Sequence, residues 1–115
     1  MDKIILRGGS ALRGEVRVQG AKNSVLPILA ATVLSSGESI IHNCPNLTDV
    51  EASLNILTHL GCRVRREGNT VTVDAGGISR SDIPEELMHE MRSSIIFMGA
   101  VAARCARADM TYPGG

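Results

Sequence analysis

The chain has 115 residues, 43% of them apolar, with twelve Lys and Arg balanced by twelve Asp and Glu, so a folded core is available and an intrinsically disordered chain is excluded. The formal charge of zero leaves out the basic excess of a nucleic-acid or anionic-membrane binder. With one Phe, one Tyr and no Trp there is no aromatic platform for bases or sugars, and an anionic ligand has to be held by local polar and charged groups.

Residues 4–6 and 15–19 read as strands; the second alternates polar and apolar side chains, the pattern of a sheet with one wet face, and Gly20 ends it. From Ser24 to Leu34 no charge falls on any helical face, which predicts a helix apolar all round and therefore buried. Pro27 has no N–H, so this helix starts no earlier than about Asn23, with Pro27 in its first turn and Lys22 and Asn23 at its entrance. A short strand over 39–42 leads into a loop over 43–47 that carries Pro45. Thr48-Asp49-Val50-Glu51 has capping-box form and opens an amphipathic helix, with Val50, Leu54 and Leu57 on one face, that stops at Gly61. Residues 63–66 and 70–74 flank Glu67-Gly68-Asn69 as a hairpin. The first unit is thus βαβαββ and ends at about residue 74.

A link over 75–81 leads to Asp82-Ile83-Pro84-Glu85, a helix start with proline at the first helical position. Sliding the chain on itself by 70 residues sets Met91-Arg92-Ser93-Ser94 against Ala21-Lys22-Asn23-Ser24. In both copies a cation and two small polar residues precede an uncharged helix, and Asp109-Met110-Thr111-Tyr112 falls where the strand over 39–42 falls. A second unit therefore begins at about residue 82 and breaks off. Uncharged helices beside half-polar strands imply an inside-out α/β architecture, helices buried and sheets outside. The chain stops on a turn signal, Tyr112-Pro113-Gly114-Gly115, as if cut, and its two apolar helices are expected to expose apolar surface and associate when the chain is alone.

Lys22 and Arg92 each precede an uncharged helix, where free N–H groups and the positive end of the dipole favour a phosphate or carboxylate. The plainer account makes both surface residues paired with a nearby Asp or Glu; a cation opposes the dipole there, so two equivalent occurrences ask for a reason. Asn23 suits a sugar hydroxyl or amide as well as it suits capping, whereas Ser93-Ser94 reads as capping. His42, His59 and His89 have no visible ligand companions, and no metal site is read. Cys44, Cys62 and Cys105 have neither C-x-x-C spacing nor a paired base, which fits free thiols in a reducing, cytoplasmic compartment. Arg63-Arg65-Arg66 reads as a solvated face, Glu85-Glu86 as helix N-terminal charge, and Gly8-Gly9 and Gly76-Gly77 as turns outside any nucleotide fingerprint. The N-terminus has no signal-peptide form, and no apolar run approaches the ~20 residues of a membrane span.

Gly20-Ala21-Lys22-Asn23 with the apolar run after it, Met91-Arg92-Ser93-Ser94 and Tyr112-Pro113-Gly114-Gly115 together resemble the N-terminal part of the enolpyruvyl transferase family, in its UDP-N-acetylglucosamine 1-carboxyvinyltransferase branch. The shikimate branch resembles G-S-K-S at the first motif and is the weaker match. The resemblance covers essentially the whole chain, while full family members are several times longer. It implies an inside-out α/β barrel of repeated βαβαββ units, of which this chain holds about one and a half. It also implies that residues 1–21 belong with the second domain and residues 22–115 form an incomplete first domain. By the same resemblance, the enolpyruvyl group of phosphoenolpyruvate passes to the 3′-hydroxyl of UDP-N-acetylglucosamine, opening peptidoglycan synthesis, with no metal or organic cofactor. Lys22 would neutralise phosphoenolpyruvate, Asn23 would hold substrate beside it and Arg92 would help bind the nucleotide sugar. The family's general acid, a loop Cys or Asp, follows Pro-Gly-Gly and so would come just after Gly115. No catalytic residue is therefore assigned within the chain, and alone it is expected to be inactive, the remainder of the enzyme being its partner. A shikimate-branch enzyme and a non-catalytic, anion-binding repeat module are the alternatives.

Overall fold

The computed structural model describes residues 2–110, without the side chain of Arg92. Helix α1 (Lys22–Ala31) starts a residue earlier than its proline suggested, so Pro27 lies in the second turn and not the first. The carbonyl of Asn23 thereby loses its helical donor, a loss made tolerable by its place at an exposed helix end. A 3₁₀ turn (Thr32–Leu34) extends α1, where the Thr32 hydroxyl donates to the Leu29 carbonyl at 2.6 Å.

Three antiparallel strands follow the expected hairpin pattern: β1 (Glu38–Ile41), β2 (Arg63–Glu67) and β3 (Thr70–Asp74), in the order β1-β3-β2. Val64 faces Val73, and Ile41 faces Val71 across the other edge of β3. The fully buried Val71 and Val73 meet the helices, while Arg63 and Arg65 of β2 face outward. Helix α2 (Thr48–Leu60) has Leu47 at its N-cap and no side-chain cap, so the capping box is not formed; Thr48 is already helical and its neighbours Asp49 and Glu51 supply first-turn charge instead. Its end is as read. Gly61 takes a left-handed φ of 110°, its N–H donates to Thr58 and that of Cys62 to Leu57, the closure a glycine C′ residue permits. A Cβ there would also meet the Gly77 carbonyl at 2.7 Å.

In the second half, Pro84 is the N-cap of α3 (Glu85–Glu90), a 3₁₀ turn covers Arg92–Ile95, and α4 (Ile96–Cys105) completes the described elements. Ser94 does not cap; its buried hydroxyl reaches back to the Met88 carbonyl at 3.0 Å and ties the turn to α3. Asp109 pairs with Asp82 in a parallel bridge, the described part of the strand expected over 109–112; Thr111 and Tyr112 lie outside the described residues.

Two further expectations differ from the structure. Residues 4–6 and 15–19 are not strands; no ladder partner for them exists among the described residues, and Val16 and Val18 are 89% and 88% exposed. Helices α1 and α4 are not buried all round. Val25, Leu26 and Leu29, with Phe97 and Val101, enter the core, but Ile28 and Met98 remain about half exposed at 50% and 46%. An open groove lined by Pro27, Ala31, Leu34, Ile96, Gly99 and Ala103 runs between the two helices. What the structure establishes is a mixed α/β fragment with a three-stranded sheet.

The three thiols are free. Burial pushes the Cys62 thiol from 9.0 up to about 11, against the opposing pull of Arg104. Between those values the unfolded chain sheds a proton that the folded chain keeps, so the stability from the buried neutral thiol is complete below pH 9 and is lost as pH rises to about 11. The thermal midpoint of the protein is therefore expected to drop further between pH 9 and pH 11 than that of its Cys62→Ala variant; equal drops would refute this.

Candidate functional site

The helices deliver their starts to one end of the molecule. Near the end of α4, the Arg104 guanidinium donates to the carbonyls of Val33 and Ser35, which follow α1, and to that of Ala75. The same loop region holds the end of α2, because Ser79 and Arg80 donate to the Leu60 carbonyl. With their C-terminal ends gathered, α1, α2 and α4 run parallel. Arg104 thus ties the end of α4 to the segment that follows α1, about 70 residues earlier in the chain.

At the opposite end, Lys22 Nζ lies 3.1 Å from Asp49 Oδ2, the lysine 51% and the aspartate 26% exposed. Each residue sits in the first turn of its helix, α1 or α2. Parallel helix starts sum their positive ends, and Asp49 supplies the negative charge that makes a lysine tolerable there. The bland account of Lys22, a pairing with a nearby acid, is thus literally present, and it leaves part of the ammonium's three-donor capacity for a ligand. Asn23, exposed on the next position of α1, caps nothing. Arg92 opens the 3₁₀ turn that leads into α4.

Sequence reasoning missed two contributors. Thr48-Asp49-Val50-Glu51 suggests Asp49 only as part of a cap; the signal that points to its pairing is an acid in the first turn of the helix that follows the unexplained lysine. The run Arg63-Arg65-Arg66 suggests a solvated face, yet Arg66 shares the inner face of Val64 and is only 20% exposed. Its Nη2 donates to the Cys44 and Pro45 carbonyls at 3.2 Å each, and its Nε to the Gly68 carbonyl at 3.2 Å. The period of two along β2 carried that information.

His59 Nε2 and Asp82 Oδ2 stand 3.2 Å apart, and this hydrogen bond holds the Asp82 carboxyl below its ordinary range. Burial raises the Cys44 thiol, with Arg66 opposing, so it is a poor nucleophile. Among the described residues no three His, Cys, Asp or Glu side chains gather as a metal site. No helix is long and apolar enough to cross a membrane. Lys22 beside Asp49 at neighbouring helix starts is the charged arrangement the described residues offer.

A mixed α/β fragment with paired, repeated helix starts and a lysine among them is the class these observations define. Residues 6–115 match the family described as EPSP synthase (3-phosphoshikimate 1-carboxyvinyltransferase), and the chain belongs to that family. It is 53% identical over its whole length to UDP-N-acetylglucosamine 1-carboxyvinyltransferase 2 of Caldanaerobacter subterraneus subsp. tengcongensis, and 44% identical to UDP-N-acetylglucosamine 1-carboxyvinyltransferase of Desulfatibacillum aliphaticivorans. In both cases it covers 28% of the relative's length. Among solved structures it resembles the enolpyruvyl transferase NikO from Streptomyces tendae, with a TM-score of 0.74 and 30% identity, over 84% of this chain and 23% of that one.

Proposed function

We propose that the chain is the N-terminal part of an enolpyruvyl transferase that moves the enolpyruvyl group of phosphoenolpyruvate to the 3′-hydroxyl of UDP-N-acetylglucosamine. The observation that carries this reading is identity of 44% to 53% along the entire chain to relatives bearing that activity in their names. The expected chemistry is addition and then elimination. The acceptor hydroxyl gives up its proton as its oxygen bonds to C2 of phosphoenolpyruvate and C3 takes a proton, and phosphate then leaves as C3 gives a proton back. Both steps place heavy negative charge in one cleft, and the residues of this chain serve that charge. Lys22 neutralises the phosphate and carboxylate, Asn23 holds substrate beside it, and Arg92 binds the nucleotide sugar.

In this reading residues 22–115 are part of a first domain, an inside-out barrel of βαβαββ units whose remaining helices cover the α1–α4 groove. Residues 1–21 extend to a second domain, which supplies the strand partners that Val16 and Val18 lack here. The general acid follows Gly115, so residues 1–115 expressed alone are expected to be inactive. The role belongs to peptidoglycan synthesis in the cytoplasm, with its part in cell shape and division, and needs no cofactor. The shikimate branch is the second reading, favoured by the description of the matching family and disfavoured by Gly20-Ala21-Lys22-Asn23 where that branch resembles G-S-K-S. Phosphate release from phosphoenolpyruvate by the full-length protein, assayed with each acceptor, tests both. Release with UDP-N-acetylglucosamine alone supports the first reading, release with shikimate 3-phosphate alone supports the second, and release with neither overturns both.

A further inference from the structure

Arg66 lies on the far side of a loop from Lys22, and the contacts between them form one continuous path. The guanidinium clamps the carbonyls of Cys44 and Pro45, while the Cys44 N–H donates to the Asn69 carbonyl at 2.7 Å. Arg66 Nη1 is buried without a hydrogen-bond partner, 3.9 Å from Glu51 in the first turn of α2. One side chain thus grips the hairpin, the loop over 43–47 and the start of the helix that carries Asp49. On the loop's other face stands Gly20, two residues before Lys22. A Cβ at Gly20 would collide with the Asn43 carbonyl and come within 3.2 Å of Pro45 Cδ. The chain has no room for a side chain there because it leans directly on the loop that Arg66 holds.

We infer that Arg66 is a positioning residue. By bracing the loop over 43–47 against Gly20, it fixes the start of α1 relative to α2 and so keeps Lys22 in register with Asp49 and with the anion to be bound. This inference rests on the proposed function for its effect on substrate, but not for its effect on the lysine. Arg rather than Lys is required at this place, since a fork of donors reaches two loop carbonyls and its own turn at once.

The test uses the full-length protein. Within these 115 residues Lys3 and Lys22 are the only lysines, so amine labelling of Lys22, read by peptide mass spectrometry against Lys3, reports on the register without any assay of activity. Arg66→Gln and Gly20→Ala disturb the joint from opposite sides. Both are expected to raise Lys22 labelling about two- to fivefold, the range that loss of an exposed ion pair supports. Both are also expected to raise KM for phosphoenolpyruvate more than they lower kcat, with Arg66→Lys recovering only part of either effect. A lowered thermal midpoint with unchanged Lys22 labelling would make Arg66 merely structural and overturn the inference. Raised labelling with an unchanged KM in an active enzyme would also overturn it, by removing the link to substrate. Raised labelling in a protein whose wild type transfers no enolpyruvyl group would leave the joint standing and sink the proposed function instead. If Arg66→Gln does not fold, Gly20→Ala and Arg66→Lys decide alone.

Discussion

Replacing Lys22 by Ala in the full-length enzyme is expected to lower kcat/KM by about a hundredfold or more, the usual loss when a charged group facing a developing anion is removed from a closing cleft. The same change is expected to leave stability almost untouched. The Lys22–Asp49 pair is half exposed on the lysine side, and exposed pairs are worth about 1 kcal/mol at most. Removing a cation from a helix start also removes an unfavourable dipole contact, which offsets part of that. A large kinetic effect with a small thermal one is therefore the signature of a substrate-facing lysine. Steady-state kinetics beside a thermal melt measure both. An unchanged kcat/KM in a folded protein would reduce Lys22 to a partner of Asp49 and favour the non-catalytic reading.

What the sequence made legible was local. Gly61 closes α2 because its left-handed φ favours glycine, and the turn around Gly68 yields the hairpin, since both signals act within a few residues. The strands expected at 4–6 and 15–19 failed for the complementary reason: alternation in residues 15–19 states only that one face wants burial, and the sheet that would bury it is not local. The helices misled similarly. Absence of charge over residues 24–34 and 95–103 predicts burial all round, but these residues by themselves cover one face and leave Ile28 and Met98 half bare. At the candidate site the sequence reached Lys22, Asn23 and Arg92 as types at positions. It did not reach the Asp49 partner or the Arg66 brace, because both depend on which helix start lies beside which.

Arg104→Ala is expected to cost about 3 to 5 kcal/mol, the scale of leaving part-buried acceptors without a charged donor. Arg104 donates to Val33 at 2.8 Å and to Ala75 at 3.0 Å, with Ser35 as its third acceptor. Two of those carbonyls follow α1 and one follows β3, so a single side chain from α4 ties together the C-terminal ends of the helix layer and the exit of the sheet. A cation at a helix C-terminus also suits the dipole there, as a cation at α1's start does not. Arg104→Lys should recover less than half of the loss, because one ammonium cannot reproduce a planar fork. A thermal melt of the full-length protein is expected to fall by roughly 3 to 6 °C for Arg104→Ala, and a shift within error would refute the clamp. Since Arg104 stands at the opposite end of three parallel helices from Lys22, kcat/KM of the folded Arg104→Ala protein should stay near that of wild type at a temperature well below its melt. The two substitutions thus separate what the parallel arrangement joins: one end of the helices is expected to hold the fold, and the other, where Lys22 stands beside Asp49, to act on the substrate.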